Sequence, residues 1–237
     1  MAEMSEAGRL AGVFTSPSAA FTDIAERPRW IVPLLIGIVC SIVFIWVFTQ
    51  RVGWDRFVNT NLANNPRIEQ LDPEQKARVL EQQRKVLPIM GWVAPVVFTP
   101  VMMALTALVF LGVFNLAMGA AFKFKNLFAI VCYAWLPLAL HGLLGVGVMY
   151  LKDPDDFNLE KPTAFNLGAF LSPDSTPKWL QSLGGSIDLF VIWVVVLMAL
   201  GIHCLDRKRS FASCLVGVGI PWLIVILCKA GWAAMFG

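Results

Sequence analysis

The sequence predicts an all-α fold: a polytopic transmembrane helical bundle with five spans and short interfacial helices. Three observations predict it. The 237 residues are 57% hydrophobic and only 15% charged, with a mean hydropathy of +0.68, whereas soluble domains carry about 25% charged residues. The apolar residues are grouped into long runs rather than spread with an amphipathic period, which suits membrane spans better than a soluble core. Dense basic clusters also stand beside apolar runs, as Arg207-Lys208-Arg209 does. The net charge of +3 is a mild excess located mostly between those runs. It points to membrane topology and contact with the lipid bilayer, not to nucleic acid.

Residues 1–29 form an N-terminal cytoplasmic or interfacial segment, and 30–237 the transmembrane domain. Within the first, Ser16-Pro17 is a helix start, with serine at the cap and proline at the first helical position. An interfacial helix follows until Pro28. The acids Glu3, Glu6, Asp23 and Glu26 precede the first apolar run, unlike a short basic leader, so that run is expected to serve as an uncleaved signal anchor. The first span covers 30–49, bracketed by Trp30 and Trp46 as interfacial aromatics.

Asp72-Pro73-Glu74-Gln75 starts a surface helix over 73–86. The apolar run 87–121 exceeds the roughly 20 residues of one span and holds Pro88, Pro95 and Pro100 in its first half. A kinked span over 93–119 fits best, and an interfacial or re-entrant piece over 88–100 is the competing reading. The third span covers 127–151 with a kink at Pro137. A polar loop, 152–184, has room for short interfacial helices at 164–171 and 178–183. The fourth span covers 187–203, and the fifth 211–233 with Pro221 inside. Five spans put the termini on opposite sides. The short basic turns 122–126 and 204–210 then place the N-terminus in the cytoplasm and the C-terminus outside.

Asp188 is the sharpest chemical candidate, because an acid within a span costs about 2.5–3.5 kcal/mol at the membrane centre. It suits an ion- or proton-binding carboxylate facing the bundle. It suits better an N-cap for the fourth span, preceded by Gly184-Gly185-Ser186. Tyr133, Asn115 and His141 are the other members of a candidate polar intramembrane site. His141 needs a hydrogen-bond partner in an apolar interior, and Asn115 suits bonding between helices. His203 sits favourably at a helix C-terminus. The run Asp153-Pro154-Asp155-Asp156 lacks the glycine and terminal glutamate of a calcium loop. The five cysteines, Cys40, Cys132, Cys204, Cys214 and Cys228, have no metal-ligand spacing and read as small packing residues. No phosphate loop, nucleophile elbow or zinc-protease motif is present, and no cofactor is expected.

Three stretches carry a family resemblance. Phe14-Thr15-Ser16-Pro17-Ser18-Ala19-Ala20-Phe21 is similar to a P-x-x-x-F opening ahead of a first span. Tyr133-Ala134-Trp135-Leu136-Pro137 resembles a Y-x-x-x-P in a third span. Asp188-Leu189-Phe190-Val191-Ile192-Trp193, followed by Gly201 and the basic turn, resembles an lDlF-x-iW…G stretch. In this order they resemble the Ypt-interacting-protein (YIP) domain family, a group of five-span membrane proteins. The eukaryotic branch is associated with Rab-type GTPases and vesicle traffic. This chain carries no Asp-Leu-Tyr-Gly-Pro motif, and its short N-terminus resembles the prokaryotic branch. That resemblance implies a multi-pass protein of the bacterial cytoplasmic membrane with a non-catalytic, membrane-organising or partner-binding role, its partner another protein or a second copy. The alternative is a small transporter or channel with Asp188 in the conduction path.

Overall fold

A computed structural model describes residues 3–62, 66–154, 157, 159, 162–172 and 175–236. Asp155 and Asp156 of the acidic run lie outside them. Among the described residues the protein is helical, without strands beyond one isolated antiparallel bridge between Asn166 and Asp188. The N-terminal segment forms two helices, not one: α1 (Glu6–Thr15) and α2 (Pro17–Glu26). Pro17 does occupy the first turn of α2, although the Ser16 hydroxyl makes no capping bond. α3 (Ile31–Arg51) follows, then the short α4 (Trp54–Phe57) and α5 (Pro66–Glu69).

α6 runs from Pro73 to Gly112 and ends in a wider π turn, Val113–Ala117. The expected surface helix over 73–86 and the expected span over 93–119 are therefore one helix, and 88–100 is neither re-entrant nor a separate interfacial piece. Asp72 starts it as anticipated, its carboxylate accepting from the Gln75 N–H at 2.9 Å. Gly119, at φ +67°, turns the chain out of the π segment, as the left-handed residue after a helix does.

The third apolar segment is two helices, α7 (Phe124–Ala134) and α8 (Leu136–Leu151), interrupted at Trp135. Pro137 is thus in the first turn of α8, where its missing N–H goes unneeded, and not at a kink inside one helix. The loop after it holds a short 3₁₀ turn, Leu167–Phe170, and α9 (Lys178–Ser186), close to the two expected interfacial pieces. α10 (Leu189–Leu205) and α11 (Phe211–Phe236) complete the chain.

Four segments are long and apolar enough to cross a membrane: α3, α6 with its π turn, α7 with α8, and α11. α10 is apolar but has 17 residues, about 25 Å at the helical rise, against a hydrocarbon core of about 30 Å.

The chain forms two compact units. The first comprises Met1–Gly37, Pro100–Ala139 and Ala164–Gly237; the second, Ile38–Thr99 and Leu140–Thr163. The core of the second unit gathers Val47, Phe48, Val52, Met149 and Phe157, with Trp54 set edge-on to Phe48 at 4.8 Å between centroids. The first unit is organised around α10, which packs against α2, α7 and α11. Contact on several sides explains why α10 shows no polar face: a helix that is apolar all round must be covered by protein or lipid.

The tightest crossing is at Gly201. A methyl group there would lie 2.5 Å from Ile130 Cγ2 and 2.9 Å from the Phe21 ring, so only glycine lets α7 and α2 approach α10 this closely. Gly201→Ala is expected to cost about 1–3 kcal/mol by overpacking, read as a lower melting temperature in detergent. Gly219→Ala, where a methyl group meets nothing within 4 Å, is the control and is expected to be neutral or slightly stabilising.

Candidate functional site

The principal polar site lies in the first unit, under the N-terminal helical hairpin. Its local origin is simple. Ser5 caps α1, accepting from the Gly8 N–H. Gly12 then lets α2 come close, a methyl group at that position lying 3.0 Å from Ala20 Cβ. The helices so paired turn Arg9 and Asp23 inward, and both are buried.

Arg9 Nε donates to Asp23 Oδ2 at 2.6 Å, and Nη2 lies 2.6 Å from the same oxygen. Nη1 reaches Glu6 and the Arg27 carbonyl, each at 3.3 Å. Burial opposes the charge on Arg9, but the Asp23 carboxylate outweighs it and holds the guanidinium above its ordinary pKa. The Tyr133 hydroxyl of α7 donates to Glu6 at 2.7 Å. Around the mouth, Arg29 pairs with Glu3 at 2.8 Å and with Glu6 at 3.4 Å. An acid–base ladder thus fastens α1, α2 and α7 together.

The residues expected to form an intramembrane site are engaged separately. Asp188 is the N-cap of α10: its carboxylate accepts from the Phe190 N–H at 2.8 Å and the Val191 N–H at 3.2 Å. Its backbone lies in a short extended pairing, with Leu189 N–H donating to the Phe165 carbonyl and Leu167 N–H to the Ile187 carbonyl. Asn115 sits in the π turn and grips Phe122 twice. Its amide donates to the Phe122 carbonyl at 3.0 Å, and its carbonyl accepts the Phe122 N–H at 2.9 Å. Tyr133 joins the hairpin network. His141 belongs to the second unit and hydrogen-bonds Thr163.

The basic turn after α10 is also structural. The Arg209 carbonyl accepts from His203 Nδ1 at 2.7 Å, and Arg209 itself reaches Asp206 and the Met118 carbonyl. Arg207 donates to the Thr22 hydroxyl at 2.6 Å. Sequence reasoning missed Arg9, Glu6 and Asp23 as one site. The available signal was the i,i+3 pair Glu6–Arg9 and the i,i+4 pair Asp23–Arg27 beside close-packing Gly8 and Gly12; what joins the two pairs is a helix-to-helix approach.

The hairpin lies against the stretches that carried the family resemblance. Phe21 fills the space over Gly201, and Phe14 meets Trp193 edge-on at 5.6 Å between centroids. A model of the Yip1 domain family matches residues 11–233. The chain belongs to the Yip1 domain family. The match begins inside α1, so the family module includes α2 as well as the apolar helices. The chain is also similar to "Membrane protein YknW" of Bacillus subtilis (strain 168), 28% identical over 217 residues, which are 89% of this chain and 85% of that protein. No solved structure matches.

Two predictions follow from these contacts. Asp23→Asn leaves Arg9 buried without its counter-charge and is expected to cost about 3–5 kcal/mol. The paired change Arg9→Met with Asp23→Leu should recover much of that, both read by thermal melting and by protease cutting within residues 3–29. Asp188→Ala should cost about 0.5–2 kcal/mol as a lost cap, and Asp188→Asn distinctly less, measured the same way.

Proposed function

We propose that this Yip1-family membrane protein is a non-catalytic, membrane-organising or partner-binding protein with five spans. In this reading residues 30–237 form the transmembrane domain of a bacterial cytoplasmic-membrane protein. Residues 1–29 lie on the cytoplasmic side and the C-terminus lies outside. α10 is then the fourth span and α11 the fifth, and the N-cap of α10 and the neighbouring α9 make up for its short length at the interface.

The observation that carries this reading is where the polar groups within the helices spend their bonds. Asp188 caps its own helix, Asn115 closes a turn, Tyr133 binds Glu6, His141 binds Thr163, and Arg9 is paired with Asp23. Each is spent on a cap, a turn or a clamp between segments rather than joining a convergent acid–base set, which catalysis or proton relay would require. A framework of clamps with large apolar outer faces, such as the row Leu35, Val39 and Val43 on α3, suits a protein that works through lateral contacts.

The test is twofold. Reporter fusions at the two ends should report opposite sides of the membrane; two fusions on one side would remove the five-span reading. Photocrosslinking residues at positions 35, 39 and 43 in intact cells should give a discrete protein adduct, and lipid adducts alone would count against partner binding. Reconstituted protein should show no solute flux that Asp188→Asn abolishes; such a flux would overturn the non-conducting role.

A further inference from the structure

In the first unit an apolar cleft runs between α6 and α11. One part has a volume of about 380 Å³, with Val194 and Met198 of α10 as its floor. A second part, about 640 Å³, passes Val113 and Met118 on one side and Ile220 on the other. The two share Val109, Pro221 and Val225 and so form one groove. It follows α6 and its π turn from Met102 to Met118, and the α-helical part, Met102 to Gly112, is roughly 15 Å long at the helical rise.

Its rims are open: Val109 is 50% and Val225 57% exposed, on helices long and apolar enough to cross a membrane. A groove this apolar does not hold ordered water, which needs polar partners. Hydrocarbon is the solvent its rims meet.

The two ends differ. At the Met118 end, Gly217 lets α11 close on Phe114, a methyl group there lying 2.6 Å from Phe114 Cζ. The Met118 carbonyl is gripped at 2.9 Å by Arg209, which is also paired with Asp206 at 3.0 Å, and Lys208, next in the chain, is exposed. Lys123, the N-cap of α7, and Lys125, in its first turn, are also exposed. A long apolar groove that ends in cationic side chains matches a molecule with a hydrocarbon chain and an anionic head.

We propose that this cleft binds one anionic glycerophospholipid, with an acyl chain between α6 and α11 and its phosphate at Lys208. The site is independent of the partner-binding role.

The full-length protein in detergent, titrated with phosphatidylglycerol or phosphatidylcholine and followed by native mass spectrometry, tests it. A single phosphatidylglycerol adduct is expected, outlasting the phosphatidylcholine adduct under collisional activation. Val109→Phe with Val225→Phe fills the groove and should weaken both adducts roughly tenfold. Lys208→Gln should lower the phosphatidylglycerol adduct roughly fivefold and leave phosphatidylcholine unchanged. Circular dichroism and melting verify each fold, and Val225→Phe alone serves if the double variant does not fold. Equal retention of the two lipids, or unchanged binding by the filled variants, overturns the proposal. So does a dimer that the filling variants dissociate without any lipid adduct, because the groove would then belong to a second copy.

Discussion

The Arg9–Asp23 ion pair is the interaction on which the first unit depends. Both partners are buried, and a guanidinium taken out of water is tolerated only beside a carboxylate with its remaining donors satisfied. Asp23 supplies the charge and accepts from Nε, Nη1 reaches Glu6 and the Arg27 carbonyl, and Nη2 is held only by its closeness to Asp23. Meeting those demands fixes α1 against α2. Tyr133, donating to Glu6, carries the constraint into α7. The polar requirement of one arginine therefore joins the N-terminal hairpin to the apolar bundle.

The second constraint is steric. α10 has only 17 residues, yet α2, α7 and α11 all pack on it. It accepts them because Gly201 removes a side chain where Ile130 and Phe21 converge. Small residues at such crossings let backbones approach closely, and in membranes packing of this kind replaces the hydrophobic drive between helices. Its two ends are held by local chemistry: Asp188 satisfies the first N–H groups, and His203 with Arg209 closes the other end.

Legibility in the sequence followed the range of the forces involved. The apolar runs, the helix starts at Pro17 and Pro73 and the two short pieces in the loop before α10 were readable, because composition, capping and proline stereochemistry act over a few residues. The continuity of α6 was not. Three prolines within it argued for interruption, yet each removes only one backbone bond, and the helix persists through them. The break at Trp135 was displaced by two residues from the proline held responsible, since proline is comfortable in a first turn. For the candidate site, the dual reading of Asp188 ended in the local role, its carboxylate on its own helix. Tyr133 was grouped with Asp188, Asn115 and His141, whereas the partner of its hydroxyl, Glu6, is 127 positions away.

By itself the sequence determined that this is an all-helical, multi-pass membrane protein of the Yip1 domain family, because hydropathy, helix signals and ordered motifs are written residue by residue. Only the tertiary structure decided what the N-terminal charges are for. Glu6, Arg9 and Asp23 look like ordinary solvated charges along the chain. They become a network around a buried ion pair only when Gly12 meets Ala20 and the hairpin closes on α7 and α10, and burial of a charge is a property of the packed molecule, not of any segment of it.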